Sequence, residues 1–138
     1  MTEYIILSLI TPFLILGVGL VMKVYPPNQI NNRVGFRTKS AQADHESWMY
    51  AQRTWAKYLI MTSFIEIGLS ALQIYFVWTY LQEQILIVVF VLLSLQLMGL
   101  IIPYVHTKRL VDTYKKRKKE AFLKKIKEDS VKKEQKGE

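Results

Sequence analysis

Residues 58–105 read YLIMTSFIEIGLSALQIYFVWTYLQEQILIVVFVLLSLQLMGLIIPYV, and this stretch decides the architecture. Its only formal charges are Glu66 and Glu83. About 20 apolar residues suffice to cross the roughly 30 Å hydrocarbon core as a helix. The stretch therefore holds two crossings, 58–82 and 84–105, with Gln82-Glu83-Gln84 as the tight turn of an antiparallel hairpin. Upstream, residues 4–22 form a third uncharged segment of spanning length. Pro12, Gly17 and Gly19 would weaken a soluble helix but are tolerated in a membrane one. A signal peptide would carry a basic start and a small-residue cleavage site. This segment begins Met-Thr-Glu and ends Lys23-Val24-Tyr25-Pro26-Pro27, which reads as a retained helix. The expectation is an all-α membrane protein with three transmembrane helices, one domain over residues 1–138.

Charge is segregated around these spans. The 138 residues carry a net +8, yet loop 23–57 contributes +4, tail 106–138 contributes +7, and Glu3, Glu66 and Glu83 account for the rest. All 19 basic residues lie in the loop and the tail, which a three-span topology places on one side. The positive-inside rule assigns that side to the cytoplasm and the N-terminus to the outside. So much membrane-spanning chain leaves no room for a sizeable soluble core. With no cysteine, disulfides, thiolate metal sites and cysteine nucleophiles are excluded. The two histidines, His45 and His106, are far apart, and His45-Glu46 lacks the second His of a metalloprotease helix. No catalytic, metal or cofactor constellation is predicted, which points away from an enzyme.

The loop holds the specific features. Pro26-Pro27 ends the first helix by removing amide donors, and Asn28, Asn31, Asn32 and Gly35 are turn formers. Gly35 is read as supplying a backbone conformation at positive φ. Arg33, Gly35, Arg37 and Lys39 alternate with Val34, Phe36 and Thr38, which suits a short extended piece. From Ala41 onward the pattern is helical, with Ser40 or Asp44 as candidate N-cap. Trp48, Ala51, Gln52 and Trp55 share one helical face beside Arg53 and Lys57, as in an amphipathic helix lying in the headgroup layer before the second span.

Pro27-Asn28, Gly35-Phe36-Arg37-Thr38, Trp48, Ala51 and Arg53, in that order and running into a membrane span, resemble the SdpI family of bacterial membrane proteins. The resemblance is close over residues 20–60 and continues in pattern through the hairpin. It implies immunity to a peptide toxin that attacks the membrane, and also a signalling role in which a transcriptional repressor is held at the membrane. Longer members carry spans ahead of this module, so the chain resembles a short form. The family usually has His where this chain has Gln52, and often Gly where it has Ala56. Gln still offers a donor and an acceptor. The loop residues this reading singles out are Asn28, Gly35, Arg37, Thr38, Trp48, Gln52 and Arg53. Arg37-Thr38 admits two roles: clamping an anionic group, or fixing the loop through its own carbonyls.

Glu66 is the one acid deep in a span. It lies nine residues past Lys57, roughly 13 Å along a helix, and shares a polar stripe with Thr62, Ser63, Ser70 and Gln73. An acid at that depth is expensive and marks function by default. Three readings stand: a protonated interhelical contact helped by Ser94 or Gln96, an ion pair with Arg37 or Arg53, or proton and cation handling. In the tail, Lys115–Lys119 and the Phe122, Leu123 and Ile126 edge suit anionic headgroups better than nucleic acid so close to a span. Docking of a cytosolic regulator is the alternative, and the last dozen residues are expected to be disordered. Three functions follow: toxin immunity by binding or occlusion, a membrane anchor for a cytosolic transcriptional repressor, or a subunit of a small ion pathway built on Glu66. The last needs a homo-oligomer, because three helices make a thin wall.

Overall fold

The computed structural model describes residues 2–80 and 85–134, and among these there is no strand. Helix α1 spans Thr2–Val24, a 3-10 turn covers Ala41–Ala43, α2 spans His45–Tyr80, α3 spans Ile85–Gly99 and α4 spans Ile101–Glu134. The turn predicted at Gln82-Glu83-Gln84 lies outside the described residues.

Among the described residues two helices are long and apolar enough to cross a membrane, Ile5–Val24 and His45–Thr79. The predicted third span is divided. Helix α3 stops at Gly99, Leu100 makes a 3.2 Å bond back to the Leu97 carbonyl, and α4 begins at once. Pro103 is the physical cause, because it has no N–H to give the carbonyl four residues earlier, that of Gly99.

The helices pack antiparallel with a constant register. On α1 and α2, Ser8 meets Ser70 and Gly19 meets Leu59 and Ile60. A Cβ on Gly19 would lie 2.9 Å from Ile60 Cγ1. On the other side, α3 and α4 together follow α2 along its length. Gln96 bonds Ser70, Tyr58 stacks on His106, Tyr50 stacks on Tyr114, and Asp44 meets Lys118.

Two expectations are corrected here. There is no separate headgroup helix before the second span: α2 runs unbroken for 36 residues. Its aromatic stripe faces protein, since the loop and α4 cover Trp48, Ala51 and Gln52 completely. The tail is helical to Glu134, so eight of the dozen residues expected to be disordered are helix, and 135–138 lie outside the described residues.

Candidate functional site

The loop folds back onto the first half of α2 and is held there by side chains reaching backbone. Asp44 starts α2, accepting the Ser47 N–H at 3.0 Å and the Ser47 hydroxyl at 2.9 Å. Of the two candidate caps, it is the one that uses its side chain. One turn on, Trp48 Nε1–H donates to the Pro27 carbonyl at 2.6 Å, and His45 Nε2 lies 2.9 Å from the Asn28 carbonyl. Asn31 Oδ1 accepts the amides of Arg33 and Val34, a local turn that lets the chain reverse. Gln42 Nε2 ties to Asn32 Oδ1 at 2.8 Å.

At the centre lies Gln52, fully buried. Its Oε1 accepts the Phe36 N–H at 2.8 Å and its Nε2 donates to the Phe36 carbonyl at 3.0 Å. One amide side chain thus satisfies both backbone groups of a buried loop residue, as a neighbouring strand would. The approach requires Gly35. Its φ is 101°, and a Cβ there would run into the Gln52 amide and sit 3.1 Å from Pro27 Cγ. Phe36, so placed, drives its ring between Trp55, 4.8 Å away, and Tyr104, 5.4 Å away. Ala41, Ala51 and Val111 close this small core.

The structure therefore brings Asn28, Gly35, Thr38, Trp48 and Gln52 into one loop–helix node, with Thr38 Oγ1 accepting the Ala41 N–H. Arg37 sits on its outside, exposed, donating to the Asn32 carbonyl. Of the two roles read for Arg37, the geometry shows the loop-fixing one. Arg53 points elsewhere, into a groove with Lys23 and Lys57. Sequence reading quoted Phe36 within the motif but left it out of the functional residues, although the node is built around it; a large apolar side chain between Gly35 and Arg37 was the available signal.

Around this node α4 adds an electrostatic clamp. Lys118 Nζ lies 3.0 Å from Asp44 Oδ1 and 2.6 Å from Glu46 Oε2, and the Tyr114 hydroxyl donates to Glu46. The Ser47 amide first, and Lys118 second, hold the Asp44 carboxyl at about 2, against 3.8 ordinarily. The same two acids push the Lys118 ammonium up. Because folding lowers the Asp44 pKa, the unfolded chain binds more protons in acid. This contribution is complete above 3.8 and disappears as pH falls towards 2. Side chains 42% and 40% exposed make it modest. Thermal unfolding in detergent should show a drop in Tm across that interval. D44N, which keeps an oxygen for the Ser47 amide, should flatten it, and an unchanged acid limb in D44N would place the titration elsewhere.

A second polar cluster lies inside the span region. Pro12 has no N–H for the carbonyl of Ser8, four residues earlier in α1. That carbonyl instead accepts the Ser70 hydroxyl at 2.9 Å from α2 and Gln96 Nε2 at 3.0 Å from α3. Gln96 Nε2 also reaches Ser70 Oγ at 2.7 Å, so three helices meet on one freed acceptor. Gln96 thus bonds Ser70 and Ser8 rather than Glu66, and the Ser94 hydroxyl bonds its own helix at Phe90. Glu66 is 4% exposed and packs against Gly99 on α3. Both its carboxylate oxygens, Gln73 Oε1 and Gln96 Oε1 are buried without a hydrogen-bond partner. Of the three readings of Glu66, the ion pair with Arg37 or Arg53 is absent: among the described residues the ion pairs are those of Lys118. The constant helix register explains why, since Arg53 and Glu66 lie more than three turns apart on one helix.

The arrangement is that of a helical membrane protein with a structured loop docked on its second helix. The chain matches the SdpI/YfhL protein family over residues 28–105, more than half its length, and belongs to that family. The match begins at Asn28, takes in the loop–helix node and ends at Val105. Among curated proteins it is similar to one from Bacillus subtilis (strain 168) named "Uncharacterized protein YfhL", with 32% identity over 54 residues. That alignment covers 39% of this chain and about half, 49%, of the relative. No solved structure matches the chain.

Proposed function

We propose that the protein is an integral membrane immunity-type protein that protects a bacterial cell from a membrane-active peptide toxin by binding or occluding it. The observation that carries this reading is that the part matching the family contains the hydrogen-bonded loop–helix node of Gly35, Phe36, Trp48 and Gln52. A preorganised surface beside the bilayer suits peptide capture without catalysis, because little ordering entropy remains to be lost on binding. Three crossings, with α3 and the start of α4 forming the last, would put loop and tail in the cytoplasm and the N-terminus outside. The toxin would then be met at the inner leaflet. Anionic headgroups around the basic tail would hold α4 near the surface.

A second reading is a membrane anchor for a cytosolic transcriptional regulator. It is favoured by the far part of α4, where Phe122, Leu123, Ile126 and Val131 are exposed on a helix extending past Lys118. Expression in a toxin-sensitive strain, challenged with purified amphipathic toxin peptide, tests the first reading. Survival above the empty-vector level is expected. Survival at vector level with the protein present in the membrane fraction overturns it; recruitment of a soluble repressor to membranes would then favour the anchor, and pH-dependent ion flux in vesicles an oligomeric pathway.

A further inference from the structure

Where α1 meets α2 at the loop end, the two helices bound a groove of about 510 Å³ lined by Lys23, Arg53, Lys57, Ile60 and Met61. Its position follows from the register. Gly19 lets α1 close on Leu59 and Ile60. One turn further, Lys23 in the last turn of α1 comes beside the preceding turns of α2. Arg53 and Lys57 stand four residues apart and so share a helix face. Every polar side chain of the groove is a cation. Among the described residues none of the three makes an ion pair, the ion pairs being those of Lys118 with Asp44 and Glu46. Glu66 is buried against Gly99, about 13 Å up the helix from Lys57. The other wall is apolar, and Ile60 and Met61 lead onto the exposed Val21 and Val24 of α1 and Phe64 and Ile65 of α2.

We propose that this groove is a binding site for one anionic phospholipid, with its phosphodiester among Lys23, Arg53 and Lys57 and an acyl chain along Ile60 and Met61. Free phosphate shares the headgroup chemistry and would account for the three cations. It leaves the apolar wall, continuous with the spanning faces, without a purpose. A phospholipid uses both, at the depth where headgroup and acyl chain meet. The site is separate from the basic tail and rests only on the chain being a membrane protein, not on immunity.

Native mass spectrometry of the full chain, released from detergent after exchange into dioleoyl phosphatidylglycerol or phosphatidylcholine, tests the assignment. One phosphatidylglycerol per chain should remain bound, with phosphatidylcholine retained at least about tenfold less. K23Q/R53Q/K57Q should lose that lipid, the single R53Q should weaken it, and K115Q/K116Q/R117Q in the tail should keep it. These side chains are exposed, and matching far-ultraviolet circular dichroism and Tm would certify the fold. Retention unchanged in the groove variants, equal retention of both lipids, or displacement of phosphatidylglycerol by inorganic phosphate would each overturn the proposal.

Discussion

Replacing Gln52 with Leu should lower the unfolding free energy in detergent by about 2–6 kcal/mol. The estimate counts one buried N–H and one buried C=O left unpaired, at about 1–3 kcal/mol each. Both belong to Phe36, which is buried with its bonds to Gln52 at 2.8 and 3.0 Å. Leu matches the volume of Gln closely enough that a cavity contributes little. The loss should be read as orphaned polar groups, visible in denaturant titration of the purified protein. Gly35→Ala should cost about 2–4 kcal/mol through the strain of an L residue at positive φ and the collision with the same amide. The two changes should not add. In a Gln52→Ala background the amide is gone, so the added methyl meets Pro27 alone and Gly35→Ala should cost less by about 1 kcal/mol. Full additivity would mean that Gln52 does not touch Gly35. A loss under 1 kcal/mol for Gln52→Leu would mean that water replaces the amide freely.

How far the sequence reveals this node depends on which physical question is asked. Local conformation was readable: an isolated Gly among turn formers pointed to positive φ at Gly35, and Ser40 or Asp44 before an amphipathic run pointed to a helix cap, which the fold makes with Asp44. The apolar stripe of Trp48, Ala51, Gln52 and Trp55 was readable too, but not its partner. Periodicity states that a face avoids water; lipid and protein satisfy it equally. The sequence reading chose the headgroup layer, whereas the chain itself supplies Phe36, Tyr104 and Val111. The helix register, which puts Lys118 on Asp44 across 74 residues, is a long-range property that no local pattern encodes.

Pro12 is a contrasting case, because its consequence is local arithmetic. A proline always withholds a donor from the carbonyl four residues back, so an acceptor at Ser8 was implied by sequence alone. Ser70 and Gln96 meet it in the fold. The same arithmetic at Pro103 points to Gly99, where α3 ends, and Glu66 packs on that glycine. Two prolines thus open the α1 and α3–α4 backbones at neighbouring levels of α2, and the polar stripe from Glu66 to Gln73 faces both.

Within that stripe Glu66 has both side-chain oxygens unpartnered, where Gln73 has one. Ser70 and Gln96 are bonded to the Ser8 carbonyl, while both Glu66 oxygens are buried without a partner. A polar group in that condition costs free energy, by about 1–3 kcal/mol on mutational scales. Glu66→Met, similar in length and apolar, should therefore raise the unfolding free energy by about 1–3 kcal/mol. The companion measurement is survival under toxin challenge. On the proposed immunity reading, a residue kept at a cost to stability is kept for what it does, so Glu66→Met should accumulate in the membrane at wild-type level or above and protect less well. Glu66→Ala combined with Gly99→Ala separates packing from chemistry. The methyl at residue 99 meets a Glu66 oxygen, so Gly99→Ala should destabilise the wild type more than the Glu66→Ala variant. Loss of stability in Glu66→Met would show that the carboxyl holds the helices together, and its functional role would fall with that result. Higher stability with full protection would leave the acid without a purpose in either. Higher stability with lost protection would locate the protein's working chemistry between α2 and α3, one helix turn from the bonds that Pro12 made possible.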